Sequence, residues 1–362
     1  MSKMKIDFVI GSLFAGGAER VVSTLANHFA EKGHSVRVIT FRGGDHYSLH
    51  PSVKRIHGTS KLLFFNYTVL RAFLFLLKFY FKRKNRPDII SSHIDLMGFA
   101  TIPVSRIYGI KLTVSEHFNH FNRKLTIQKK ILWNFLYKFP ETLTVLTKFD
   151  LPYFKPKTKN VEVILNPSSF VPITDLNRSR NRTILAVGDL NRFEHKGFDN
   201  LLDIAEEVLT SQPDWNLKIV GQGEYGMNIL MEKINTSPIK KQIIFTGYRN
   251  DVKELMANSE IFILSSRHEG LPLVLIEAMS QGMACISYDC ISGPSEIIDS
   301  GINGLLIDNQ NKEEMIENLK NLIVDDKLRN KLRQNSIKSL DRFSIENIGN
   351  QWEDLFKKIV YN

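Results

Sequence analysis

The sequence is short of several things, and each shortage narrows what the chain can be. Cysteine occurs only twice, at Cys285 and Cys290, in an apolar stretch without metal-ligand spacing. A disulfide framework is thereby excluded, and a reducing compartment is expected. No Asp-x-Asp and no His/Cys cluster appears, so no metal site and no cofactor are expected. No uninterrupted apolar run reaches the roughly 20 residues that span a bilayer. The nearest approach, residues 61–86 (KLLFFNYTVLRAFLFLLKFYFKRKNR), is broken by Arg71 and Lys78. The start, MSKMKIDFVIG, runs directly into a strand pattern rather than through a charged, an apolar and a cleavage region, so a cytoplasmic location is expected. Internal repeats and low-complexity tracts are also missing.

What is present is a chain of 362 residues, 43% hydrophobic and 24% charged, which suits two globular domains. The charge is uneven. Residues 1–168 carry 26 Lys/Arg against 10 Asp/Glu, a net of +16, and the remainder carries 22 against 28, a net of −6. A polyanionic partner is expected for the front half only, with nucleic acid and an anionic membrane as the candidates.

Strand and helix patterns alternate through both halves. Lys5–Ile10 reads as a strand, Gly11–Gly17 as a glycine-containing turn, Glu19–Lys32 as a helix and Ser35–Thr40 as the next strand. Ile89–Ser92, Leu112–Ser115 and Leu143–Leu146 continue the series. Thr183–Val187, Leu217–Val220, Ile243–Thr246, Ile261–Leu264 and Ala284–Ser287 form a second one, with a helix at Phe198–Leu209. The polar stretch Asn166–Arg182, interrupted by Pro167 and Pro172, separates them. The expected fold class is α/β, with two doubly wound Rossmann-like domains, residues 1–168 and 169–343, facing across a cleft. The tail, residues 344–362, reads as an amphipathic helix with Ile348, Trp352, Leu355, Phe356 and Ile359 on one face.

The chemistry concentrates in Ser265–Gly282, SSRHEGLPLVLIEAMSQG. Pro272 suits the first turn of a helix and Gly282 the position past its end, which puts Glu269 in the preceding loop and Glu277 in the second turn. The N–H groups of Gly270, Leu271, Leu273 and Val274 would then face an anionic ligand at the helix start. Glu277 lies among Ile276, Ala278 and Met279, so a solvated position is the poorer reading and a ligand hydroxyl pair the better one.

These residues carry a resemblance. Glu269 and Glu277, with seven residues between them, resemble the Glu-x7-Glu signature of glycosyltransferase family 4, whose members have the GT-B fold. Further similar segments follow in order: GGAER at 16–20, SEH at 115–117, ILNP at 164–167, VGDLNRFEHKGFD at 187–199, VGQGE at 220–224, FTGYRNDV at 245–252 and GPSEII at 293–298. The resemblance implies a retaining, metal-independent transfer of a hexose or N-acetylhexosamine from a nucleotide diphosphate sugar, with UDP favoured. By the same resemblance Glu277 would bind the ribose, Glu269 the transferred sugar, and Gly16 and Gly17 would approach the diphosphate. Lys196 would neutralise the diphosphate, and His117, at a strand end, would contact the sugar or leaving group. Where the family usually has Arg after the glycine of VG-x-L, this chain has Asp189, and Arg192 is the candidate replacement, with Asp189 orienting Arg192 or Lys196. The tail helix would return to the first domain.

Residues 61–86 hold seven Lys/Arg and no acid, and the basic-aromatic stretch Phe118–Tyr137 lies in the same half. An interfacial helix on an anionic membrane is preferred over a core helix or a spanning one, and no nucleic-acid motif accompanies the charge. The expectation is a peripheral enzyme on the inner face of the cell membrane, acting on a lipid-linked or surface glycan acceptor. Rival readings are an enzyme like UDP-N-acetylglucosamine 2-epimerase, an idle membrane-associated subunit, and a nicotinamide-dependent oxidoreductase. The last is opposed by the lack of Gly-x-Gly-x-x-Gly in Gly11–Gly17.

Overall fold

The computed structural model describes residues 3–14, 16–58, 68–122 and 126–361. Two compact units emerge, residues 1–169 with 343–362, and residues 170–342. The first is built on seven parallel strands: β1 (Lys5–Val9), β2 (Ser35–Thr40), β3 (Lys54–His57), β4 (Ile89–His93), β5 (Lys111–Ser115), β6 (Thr142–Val145) and β7 (Val161–Val163). Their spatial order is β3-β2-β1-β4-β5-β6-β7, which reverses direction between β1 and β4. Central strands such as β4 are buried at every residue, as a sheet covered on both faces requires.

Helix Ile345–Tyr361 packs in this unit. It buries Ile348, Trp352, Leu355, Phe356 and Ile359, the face expected from their spacing. Phe356 lies 5.4 Å from Phe29 and 6.4 Å from Phe8 between ring centroids, so the tail helix completes the aromatic core beside β1. Helix Thr68–Phe81 buries Ala72, Leu76 and Tyr80, at four-residue spacing, while Leu70, Leu74 and Phe81 face solvent. The preceding part of the basic stretch, residues 61–67, lies outside the described residues. Among the described residues, no helix is long and apolar enough to cross a membrane.

The second unit holds six parallel strands: β8 (Asn181–Val187), β9 (Asn216–Val220), β10 (Ile243–Phe245), β11 (Ser259–Leu264), β12 (Ala284–Tyr288) and β13 (Leu305–Ile307). Their order, β10-β9-β8-β11-β12-β13, reverses between β8 and β11. Ile184, Ala186, Leu217, Ile219, Ile261 and Ile263 supply the sheet side of its core, and Phe198, Leu201 and Leu202 the helix side.

Candidate functional site

In an open parallel α/β sheet, ligands bind at the carboxyl ends of the strands where the order reverses. In the second unit that point is flanked by the loops leaving β8 and β11, and these carry Lys196 and Glu269. Lys196 ends the single-turn helix Phe193–Lys196, which Gly197 closes in the left-handed region at φ +66°. A Cβ at Gly197 would lie 2.0 Å from the carbonyl oxygen of Ser265, so only glycine lets the two loops meet. Ser265 Oγ donates to the Lys196 carbonyl at 2.9 Å. The backbone N–H of Arg267 donates to the His195 carbonyl, and its guanidinium holds Asp199 bidentately at 2.7 and 2.8 Å.

The loops thus joined bring Lys196 Nζ to 2.8 Å from Glu269 Oε1, an oxygen that also accepts from Ser266 Oγ at 2.7 Å. Burial resists ionisation of Glu269, but the Lys196 ammonium and the two hydrogen bonds outweigh it and hold the carboxyl below its ordinary range. The loop is braced from behind. Ser292 Oγ donates to the Glu269 carbonyl at 3.1 Å, and Gly293, at φ +99°, would carry a Cβ only 2.1 Å from the Gly270 carbonyl oxygen. The GPSE turn is therefore a strut for the Glu269 loop, a role its sequence does not announce.

Helix Leu273–Ser280 starts directly after this loop, with Pro272 one residue ahead of it rather than in its first turn. Its first N–H groups, Leu273 and Val274 included, have no acceptors inside the helix, and Gly270 and Leu271 lead into them. Glu277, in the second turn, is 5% exposed. Arg192 ends the short turn Leu190–Arg192 and is exposed. Asp189 neither approaches Lys196 through a described bond nor grips Arg192; its carboxylate caps that turn, accepting from the Asn191 N–H at 3.0 Å. Burial, reinforced by the nearby Arg192 charge, pushes the His195 imidazole down to about 4.

The VGQGE segment, with Gly226 beyond it, lies beside this loop. Gly221, Gly223 and Gly226 follow β9 with Gly-x-Gly-x-x-Gly spacing and lead into helix Glu224–Lys233. A Cβ at Gly221 would fall 1.7 Å from the Gly188 carbonyl oxygen, and one at Gly226 would fall 1.7 Å from that of Leu190. These glycines let the loop after β9 pack on the loop after β8. They do not stand at the reversal of strand order.

In the first unit the reversal between β1 and β4 brings up the turn containing Gly16 and Gly17. Gly17 opens helix Gly17–Glu31, and Tyr47 pins Gly16 by accepting its N–H at 3.2 Å and donating to its carbonyl at 3.1 Å. Gly16 has φ −171°, which any residue adopts, and a Cβ there would meet only the movable carboxylate of Glu19. Its local backbone therefore does not demand glycine.

Beyond β5 stand Glu116 and His117, both buried. Glu116 Oε1 accepts from Trp133 Nε1 at 3.0 Å and from Tyr137 Oη. Burial, with the Asp95 charge added, pushes this carboxyl up to about 8. Asp95 is itself buried and paired with Lys129 at 3.1 Å, whose ammonium lies over the Trp133 ring. His117 Nε2 meets His93 Nδ1 at 2.9 Å. Sequence reasoning missed Asp95 and the partners of Glu116; the four-residue spacing of Trp133 and Tyr137 was their one visible signal. Among the described residues, no group of three or more His, Cys, Asp or Glu side chains is placed to hold a metal ion.

Comparison with known proteins settles the class. Residues 15–167 match the family model described as Glycosyltransferase Family 4, and residues 175–339 match that of Glycosyl transferases group 1. An uncharacterized glycosyltransferase of Haemophilus influenzae is 32% identical over 359 residues, covering 97% of this chain and 99% of that protein. This chain belongs to the glycosyltransferases. Its fold is GT-B. The glycosyltransferase is also 29% identical, over 98% of its length and 99% of the relative's, to a Campylobacter jejuni enzyme. That relative is named as an α-1,4-N-acetyl-D-galactosaminyltransferase acting on a GalNAc-containing glycan on diphosphoundecaprenol. Among solved structures, Anabaena HepE with UDP and glucose superposes with a TM-score of 0.79 at 18% identity, covering 98% of this chain and all of that one. This similarity speaks to the fold alone.

Proposed function

We propose that this glycosyltransferase moves a hexose or N-acetylhexosamine from a UDP-sugar to a glycan carried on a lipid, with retention of anomeric configuration and without a metal ion. The observation that carries the reading is the second unit's constellation at its strand-order reversal. An ammonium, a carboxylate held ionised and a helix N-terminus meet there, with a buried glutamate one turn behind. Lys196 and the N–H groups of Gly270, Leu271, Leu273 and Val274 neutralise the diphosphate as it leaves; Arg192 adds an exposed positive charge from the adjacent turn. Glu269 holds the transferred sugar, and Glu277 accepts from the ribose hydroxyls. Gly16 and Gly17 give a ligand phosphate close access to backbone N–H groups, and His117 hydrogen-bonds the sugar.

The first unit binds the acceptor and an anionic membrane surface, which places the enzyme on the inner face of the cell membrane. Two observations favour this: the +16 charge of residues 1–168, and an exposed apolar stripe formed by Ile127, Ile131 and Phe135. The test of the donor site is thermal stabilisation by UDP, GDP and ADP in the wild type and in Glu277→Ala. A nucleotide at about 100 times its dissociation constant adds about 2.7 kcal/mol. UDP is expected to stabilise the wild type and not the variant. A melting temperature indifferent to all three nucleotides would overturn the proposal.

A further inference from the structure

A buried hydrogen-bonded file runs through the first unit and ends at His117. Ser91 and His93 occupy the same face of β4, two residues apart. Thr113 Oγ1, on β5, has two acceptors in reach, Ser91 Oγ at 3.4 Å and the Ile90 carbonyl at 3.5 Å. Ser91 Oγ lies 2.9 Å from His93 Nε2, and His93 Nδ1 lies 2.9 Å from His117 Nε2. The far nitrogen, His117 Nδ1, is buried and has no hydrogen-bond partner among the described residues. His93 is fully buried between the rings of Phe8 and Trp352, each 5.8 Å away, and so has little freedom to turn out of this file.

We infer that His93 is a positioning residue, which with Ser91 fixes the tautomer of His117 so that its Nδ1 carries hydrogen and donates to an acceptor oxygen of the sugar. Each neutral imidazole has one donor and one acceptor nitrogen. Both rings are neutral, because burial pushes His117 down to about 4 and holds His93 well below its ordinary range. One proton sits between the rings, so both rings take the same tautomer. In the inferred file Thr113 donates to Ser91 Oγ, the nearer of its two acceptors, and Ser91 turns its own hydrogen to His93 Nε2. His93 Nδ1 then donates to His117 Nε2, and the remaining hydrogen of His117 is on Nδ1. A buried N–H without a partner costs about 1–3 kcal/mol. A sugar oxygen removes that cost, so the file selects for a ligand with an acceptor at that point. The sugar as ligand rests on the functional reading above; the tautomer does not.

The two are tested separately. Nitrogen NMR of protein labelled in histidine, with His117 assigned by its loss in His117→Asn, reports which ring nitrogen bears hydrogen. The wild type is expected to show Nδ1 protonated and Nε2 bare from pH 6 to 8. His93→Phe, which fills the same space without a donor, is expected to mix the tautomers. His93→Asn, whose amide N–H can stand where Nδ1 stood, is expected to restore the single one. An Nε2-protonated His117 in the wild type, or a tautomer unmoved in His93→Phe, overturns the file. The second readout is the affinity for UDP-N-acetylglucosamine, UDP-glucose and UDP-galactose relative to UDP alone. At least one ratio is expected to fall about tenfold in His93→Phe, equal to about 1.4 kcal/mol, and to recover in His93→Asn. Ratios unchanged despite a shifted tautomer overturn the sugar contact and leave the file standing.

Discussion

Glu116 shows how far an interior can move one group. Its carboxyl is buried, accepts from an indole and a phenol, and is pushed up to about 8 by burial and by the charge of Asp95. The sign of the consequence is fixed by linkage. A carboxyl whose folded value lies above its unfolded one contributes stability that is complete below the unfolded value, near 4.5, and is lost as pH rises towards 8. Glu116→Gln keeps an acceptor oxygen for Trp133 and Tyr137 and cannot ionise. The variant's melting temperature, relative to wild type, is therefore expected to rise between pH 5 and pH 9. Each kcal/mol is worth about 2–4 °C in a domain of this size. Melting curves at pH 5, 7 and 9 decide it, and a difference that stays constant with pH would sink the assignment. None of this was legible in the segment SEH. A sequence shows an acid beside a histidine, but not that an indole, a phenol and a buried Asp–Lys pair converge on it.

At the scale of elements, the loops after β8 and β11 are joined by backbone approach more than by side chains. Gly197 both adopts φ +66° and leaves no room for a Cβ against Ser265, whereas Gly247, at φ +67°, has nothing within 4 Å of its would-be Cβ. Alanine at Gly247 pays only for the left-handed backbone, about 1–2 kcal/mol. Alanine at Gly197 must also push the Ser265 carbonyl away, and with it the Lys196–Glu269 pair. Gly197→Ala is expected to lose more stability than Gly247→Ala and to weaken UDP-sugar binding, which Gly247→Ala leaves alone. Thermal melts and ligand titrations on the two variants make the comparison; equal effects would show that the close approach is dispensable.

The same scale shows which elements could be read in advance. β1, β2, β4, β8 and β11 are apolar runs bounded by turns, and the helices between them repeat their apolar residues every three or four positions. Their order therefore implied two parallel sheets. β3, β7 and β13 were not foreseen, because KRIH, VEV and LLI are short edge strands with too few residues to show a period. Glu269, Glu277 and Lys196 stood out because their spacing resembles a family signature. Gly293 and Arg267 stood in quoted segments and Ser292 beside one, but their bracing work was not legible, since it is to hold loops from elsewhere in the chain, and local pattern carries no record of that.

At the scale of the molecule, the distribution of charge and apolar surface bears on where the enzyme works. Helix Ile127–Ile131 passes into a π-helical turn at Leu132–Leu136, closed by the Tyr137 N–H to the Leu132 carbonyl. That turn keeps Leu132, Trp133 and Tyr137 inward while Ile127, Ile131 and Phe135 stay outward, at 78%, 43% and 58% exposure. Lys130 and Lys138 are exposed beside them, and the Lys138 ammonium lies 6.0 Å from the centre of the Phe135 ring. Apolar side chains flanked by two lysines suit the boundary between lipid headgroups and acyl chains, where the acyl chains take up the former and the anionic headgroups pair with the latter. Burying one such side chain is worth about 1.5–3 kcal/mol, so removing three is expected to weaken vesicle binding by more than tenfold. The experiment is co-sedimentation with phosphatidylglycerol–phosphatidylethanolamine vesicles, comparing wild type with a variant carrying Ile127→Ser, Ile131→Ser and Phe135→Ser. Wild type is expected to bind, to bind less as salt shortens the Debye length from about 10 Å to about 3 Å, and to ignore vesicles of neutral lipid. A wild type that stays in the supernatant, or a triple variant that sediments as well as wild type, would remove the stripe from the membrane contact and leave the charge of the first unit to be explained by the acceptor.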